Sequence, residues 1–153
     1  MSVTFRRMKD TDIEEIYSIE VSVYSSPWSK DLLRDCVLAG YDCRILEINK
    51  NKSPEIAGYI ISRMNDKKCH ILHLSIAKSF QSQGFGRKLL QHLFFSLPQF
   101  NKIHSIFLEV RASNFVAINL YTSLGFEPID VKKDYYKEQD HVEDAILFQK
   151  SLT

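Results

Sequence analysis

Cysteine, proline and glycine are all scarce in this 153-residue chain: three, four and five residues respectively. Cys36, Cys43 and Cys69 are odd in number and form no CxxC pair, so they offer no disulfide framework and fit a reducing compartment. No excess of one charge exists either. Twenty Lys plus Arg stand against nineteen Asp plus Glu, a net charge of +1, which removes the broad electrostatic drive toward nucleic acid or an anionic membrane. No apolar run approaches the ~20 residues of a membrane span. Residues 1–7 lack the pattern of a secretory leader, so the expected location is the cytoplasm. The nearest thing to a metal cluster is Cys69-His70-Ile71-Leu72-His73. A strand there would put Cys69 and His73 on one face and His70 on the other, and packing accounts for them better than a metal does. What the chain does have is core material. It is 44% hydrophobic and 25% charged, with ten Phe, seven Tyr and one Trp, which suits a single globular domain over residues 1–153.

No repeat or low-complexity linker interrupts the chain. Residues 3–6 alternate as a short first strand. Thr11-Asp12-Ile13-Glu14 fits a capping box ahead of a helix whose stripe is Ile13, Ile16, Tyr17 and Glu20. After Ser25-Ser26-Pro27-Trp28, Ser29 can cap a second helix that runs to Leu38 and is stopped by Gly40. Strands follow at 42–48, 55–63 and 70–76, the last two as hairpin arms around Asn65-Asp66. Residues 84–97 give the clearest helix, with Leu89, Leu90, Leu93, Phe94 and Leu97 on one face and Pro98 as its stop. Beyond it lie a strand at 103–110, a helix at 114–124 closed by Gly125, and strands at 126–131 and 144–151. The order β-α-α-β-β-β-α-β-α-β-β predicts an α/β (α+β) domain with helices flanking a mixed sheet rather than a regular doubly wound fold.

The most informative stretch is Leu74-Ser75-Ile76-Ala77-Lys78-Ser79-Phe80-Gln81-Ser82-Gln83-Gly84-Phe85-Gly86-Arg87. A strand leads through two glycines into an amphipathic helix. Glycine lets a ligand approach the backbone, and a helix start offers unpaired N–H groups with partial positive charge, which together can cradle phosphate. Neither GxxxxGK[ST] nor GxGxxG is present, so Walker and dinucleotide loops are excluded. Taken alone, the stretch also fits a glycine-containing helix start with no ligand.

Gln81-Ser82-Gln83-Gly84-Phe85-Gly86 matches the Q/R-x-x-G-x-G/A motif, and Leu108-Glu109-Val110-Arg111-Ala112-Ser113-Asn114 runs into Ala117-Ile118-Asn119-Leu120-Tyr121 and Leu124-Gly125-Phe126. Pro27-Trp28-Ser29, Tyr135-Tyr136 and Glu143-Asp144-Ala145 extend the match over essentially the whole chain. This series resembles the GNAT family of N-acetyltransferases, in its RimI-type branch of ribosomal-protein N-alpha-acetyltransferases. The chain departs from many relatives at Ala77, Lys78 and Ser82, where an acidic residue, a proline and a second basic residue are common. Lys78 and Arg87 are the charges available instead.

The resemblance implies a mixed, mainly antiparallel twisted sheet of about seven strands with helices on both faces. It implies acetyl-CoA as co-substrate, no metal, and an acceptor N-terminus, by the same likeness alanine on a small-subunit ribosomal protein. The residues implied for acetyl-CoA are Leu74, Ser75 and Ile76, then Gln81, Ser82, Gln83, Gly84, Phe85, Gly86 and Arg87, with Asn114. A strand edge at 74–76 can pair with the amides of pantetheine as with a peptide. Glu109 is the implied base, through a water, and partial burial at a strand end should raise its pKa. Read without the resemblance, it is a strand-end glutamate paired with Arg111 or a lysine. Tyr121 is the implied acid for the thiolate, and otherwise a core aromatic. Trp28, Tyr135 and Tyr136 are the expected acceptor-groove walls, or else half-buried aromatics beside loops. His73 is expected near the acceptor as a neighbour or water partner, and nothing nearby in sequence has a definable role that would make Cys69 a nucleophile. An acceptor lysine or small amine, or an acyl-CoA-binding module without catalysis, are the competing readings.

Overall fold

The computed structural model describes residues 2–51, 53–97 and 102–152. Among the described residues, seven strands and four helices follow in the predicted order, with two short 3-10 turns added. The strands are β1 (Ser2–Arg7), β2 (Asp42–Lys50), β3 (Ser53–Asn65), β4 (Lys68–Ile76), β5 (Ser105–Arg111), β6 (Glu127–Glu138) and β7 (His141–Ser151). The helices are α1 (Ile13–Val23), α2 (Lys30–Leu38), α3 (Phe85–Ser96) and α4 (Phe115–Ser123). The strands form a sheet of order β1-β2-β3-β4-β5-β7-β6, in which the β1–β2, β2–β3, β5–β7 and β6–β7 pairs are antiparallel and the β4–β5 pair is parallel. This is the mixed sheet that the element order predicts and the mainly antiparallel one that the resemblance implies. The chain gathers into two compact units, Met1–Arg63 with His73–Leu93, and Met64–Leu72 with Phe94–Thr153.

In the first unit the apolar stripe of α1 is buried at Ile13, Ile16 and Ile19, and α2 buries Leu33 and Cys36. β3 is buried at every position from Ile56 to Ser62, as a strand covered on both faces must be. Ser29 Oγ accepts the Leu32 N–H at 3.1 Å, the expected N-cap of α2. The Thr11 capping box does not form. The chain enters α1 through a 3-10 turn at Asp10–Asp12, and the Asp12 carboxylate accepts the Lys9 N–H at 2.8 Å and two Arg6 bonds at 2.9 Å. Asp12 outbids Thr11 because it has a cation to hold as well as an N–H. Gly58 on β3 has no room for a side chain: a Cβ there would lie 2.5 Å from Ile76 Cδ1 and 2.7 Å from the Ser75 oxygen.

The second unit is centred on Ile106, Leu108 and Val110 of β5, with Phe126 and Phe148. Here β7 lies between β5 and β6, so consecutive strands in the chain are not consecutive in the sheet. The ladder between β4 and β5 runs from Lys68↔Ser105 to His70↔Phe107, and both strands continue beyond it. Most strands are longer than the alternation suggested. β6 changes the picture most, because it carries Tyr135 and Tyr136 within the strand rather than beside a loop. The irregular step between Lys132 and Tyr136, with Asp134 at φ +53°, hides them from a period-two reading. Pro98, the expected stop of α3, lies outside the described residues.

Candidate active site

In the first unit, β4 leads through a 3-10 turn at Lys78–Phe80 into α3. Ser82 (φ +63°) and Gly84 (φ +85°) both adopt the left-handed conformation, and a Cβ on Gly84 would meet nothing within 4 Å. Gln81, Ser82, Gln83 and Gly84 are exposed, while Phe85 anchors the helix start in the core. Gln81 Nε2 donates to the Ile76 oxygen at 3.0 Å and Gln83 Nε2 to the Ser79 oxygen at 3.2 Å. The glutamines therefore brace the turn against its own backbone. The first N–H groups of α3, at Phe85, Gly86 and Arg87, precede any intrahelical acceptor and carry the positive end of the helix dipole. An open turn of this kind, with basic residues close by, fits an anionic diphosphate. Leu74, Ser75 and Ile76 form the end of β4, where the Leu74 oxygen accepts from the Tyr24 hydroxyl at 2.7 Å.

The same unit contains a cluster that the sequence did not reveal. Glu20 is fully buried on α1. Its carboxylate accepts from His73 Nε2 at 2.7 Å, from the Trp28 N–H at 3.0 Å and from the Tyr59 hydroxyl. The Trp28 ring stacks on His73 with centroids 4.4 Å apart. Burial pushes the Glu20 carboxyl up, but His73, Tyr59 and the Trp28 N–H together hold it below the usual range. Burial and the Glu20 charge push the Tyr59 hydroxyl up strongly. Tyr24 is also pushed up to about 12, mainly by burial. The one available signal was Glu20 itself, a carboxylate on the apolar stripe of its helix, where it needs donors.

The second unit holds Glu109, Asn114, Tyr121, Tyr135 and Tyr136. Glu109 lies near the end of β5 with its side chain 8% exposed, accepting from His70 Nε2 at 2.6 Å and from Lys132 Nζ at 3.2 Å. The expected rise in its pKa is reversed. Burial pushes the carboxyl up, and the hydrogen bond and charge of His70, joined by those of Lys132, bring it below the usual carboxylate range. A lysine is one partner, as the bare sequence reading allowed, but Arg111 is not. Arg111 instead holds Glu138 at 2.6 Å and Glu143 at 3.5 Å and lies 4.2 Å from the Tyr136 ring centroid. Lys132 also lies over the Tyr135 ring at 5.2 Å, so Glu109 and the tyrosine pair share a neighbour. Tyr136 is pushed up to about 12, chiefly by burial. His70, stacked 4.3 Å from Phe107, escaped the sequence reading because 39 residues separate it from Glu109.

Asn114 caps α4, its Oδ1 accepting the Ala117 N–H at 3.2 Å. Tyr121 is buried in the last turn of α4, against Phe126 (5.5 Å between centroids) and Phe148 (6.5 Å). Cys69 is buried and takes part in no disulfide, and no group of three metal-ligating side chains occurs among the described residues. No helix among them is long and apolar enough to cross a membrane.

The family model for the acetyltransferase (GNAT) family matches residues 13–126. The ribosomal protein bS18-alanine N-acetyltransferase of Escherichia coli K12 is 31% identical over 144 residues, covering 94% of each chain. A Bacillus subtilis protein described as a putative enzyme of the same name is 31% identical over 142 residues, covering 93% of this chain and 91% of its own. The crystal structure of the E. coli enzyme superposes with a TM-score of 0.88 at 30% identity, covering 99% of this chain and 95% of that one.

Proposed function

The chain is an acetyltransferase belonging to the GNAT family, and from that premise we propose that it moves the acetyl group of acetyl-CoA to the N-terminal α-amine of a protein, alanine of a small-subunit ribosomal protein being the acceptor its relatives' names suggest. The observation that carries the choice of acceptor is the state of Glu109. A carboxylate held below its usual range by His70 and Lys132 stays ionised at neutral pH but is a weak base. It suits an amine that is already close to neutral. An α-amine titrates near 7.7–8.0 and a lysine near 10.4, so at pH 7.5 roughly a third of the first and about a thousandth of the second is uncharged.

Acetyl-CoA supplies the activated thioester. The turn from Gln81 to Arg87 receives its diphosphate on the first N–H groups of α3, and the backbone of Leu74–Ile76 pairs with its amide arm. A backbone N–H of that strand polarises the thioester carbonyl. The amine forms the new C–N bond as the C–S bond breaks. Glu109 takes the surplus proton of the amine through a water, with His70 and Lys132 fixing the carboxylate, and Tyr121 returns a proton to the departing thiolate. Asn114 both caps α4 and contacts the cofactor. Trp28 in the first unit and Tyr135 and Tyr136 in the second are the residues assigned to the acceptor, and no metal takes part.

Glu109→Gln should lower kcat by about a hundredfold or more, the usual scale for a lost general base, with acetyl-CoA affinity nearly unchanged. Tyr121→Phe should lower kcat in the same selective way. Unchanged turnover in Glu109→Gln would remove that residue from the mechanism.

A further inference from the structure

Four elements of the first unit meet at one buried carboxylate. Glu20 comes from α1, Tyr59 from β3 and His73 from β4, while the Trp28 N–H comes from the segment joining α1 to α2. The arrangement holds Trp28 twice. Its backbone donates to Glu20 at 3.0 Å, and its ring stacks on the His73 imidazole that Glu20 fixes at 2.7 Å. Tyr24, on the same connecting segment, tilts 5.1 Å from His73 and donates to the Leu74 oxygen. The segment carrying Trp28 is thus tied directly to the strand assigned to the cofactor. A buried charge is costly unless it is paired and fully hydrogen-bonded, and the removal of Glu20 would orphan several donors at once.

We propose that Glu20 is a positioning residue for the acceptor: through His73, Tyr59 and the Trp28 backbone it locks the α1–α2 segment onto β4, so that Trp28 forms a fixed wall against the incoming chain. The inference rests on the reading of Trp28 as an acceptor contact. Glu20 touches neither acetyl group nor amine in this role and affects chemistry only through the loop it holds. Glutamine at position 20 presents one acceptor oxygen where three donors converge, so the Trp28 segment loosens while the side-chain volume is kept.

The test compares steady-state kinetics of the full chain and its Glu20→Gln variant on an alanine-initiated, lysine-free peptide. Acceptor KM should rise about tenfold, while kcat and directly measured acetyl-CoA affinity change by less than about threefold. Trp28 is the only tryptophan, so acrylamide quenching of intrinsic fluorescence reports on this wall alone and should increase in the variant. His73→Leu should reproduce both effects and His73→Gln, which restores an N–H donor, should reverse much of them; this pair carries the test if Glu20→Gln is unfolded at assay temperature. Unaltered KM and quenching in the variants would overturn the proposal, as would losses of acetyl-CoA affinity equal to the rise in KM. If the wild-type chain acetylates no N-terminal amine, the acceptor reading fails instead, and quenching alone then decides whether Glu20 holds Trp28.

Discussion

Burial and hydrogen bonding pull the Glu109 carboxyl in opposite directions, and at this residue the contacts with His70 and Lys132 win. A carboxyl with a lowered pKa in the folded chain is ionised above its ordinary range, and that stabilising contribution is lost only as pH falls through the lowered value. The acid limb of kcat/KM near neutrality should therefore belong to the acceptor, rising through about 7.7–8.0 for an α-amine. His70→Ala removes the largest of the lowering influences and leaves burial in place, so the Glu109 pKa must climb. The Glu109 limb should then move to higher pH than in the wild type, and a pH–rate profile identical in the two proteins would contradict the assigned pairing of Glu109 with His70. Glu109 and Asn114 were legible because both lie in one continuous motif. Their surroundings were not. His70 reaches Glu109 only because β4 and β5 pair side by side, and Glu20 is disguised by the apolar stripe around it.

At the scale of elements, helix starts and strand order along the chain were legible wherever a local rule had no competitor. Ser29 and Asn114 cap their helices as expected, whereas Thr11 loses to Asp12, which has Arg6 to hold. The extent of β6 was not legible, because a backbone irregularity breaks the alternation before Tyr136. Gly58 gives the sharpest test of how β3 positions β4. Gly58→Ala forces a Cβ against the Ser75 oxygen and Ile76 Cδ1, and overpacking of this kind costs about 1–3 kcal/mol. Urea denaturation should register that loss, and acetyl-CoA should bind more weakly because the residues displaced belong to the strand assigned to its amide arm. A variant as stable as the wild type, with unchanged acetyl-CoA affinity, would contradict this account of the strand.

For the whole molecule, composition excluded more than it identified. A net charge of +1 argued against large fields of one sign, and the element order suggested a mixed sheet. The insertion of β7 between β5 and β6 could not be read from the chain, since alternation marks a strand without naming its neighbour. Family membership rests on motifs spread from Trp28 to Asp144, with a family match over residues 13–126 and relatives 31% identical across nearly the full length. The central claim is an α-amine acceptor. Its most direct test is intact-mass detection of acetylation with acetyl-CoA and two matched peptides, one beginning with a free alanine and lacking lysine, the other blocked at its N-terminus with one internal lysine. Only the first should gain an acetyl group. Modification of the lysine peptide alone would contradict it.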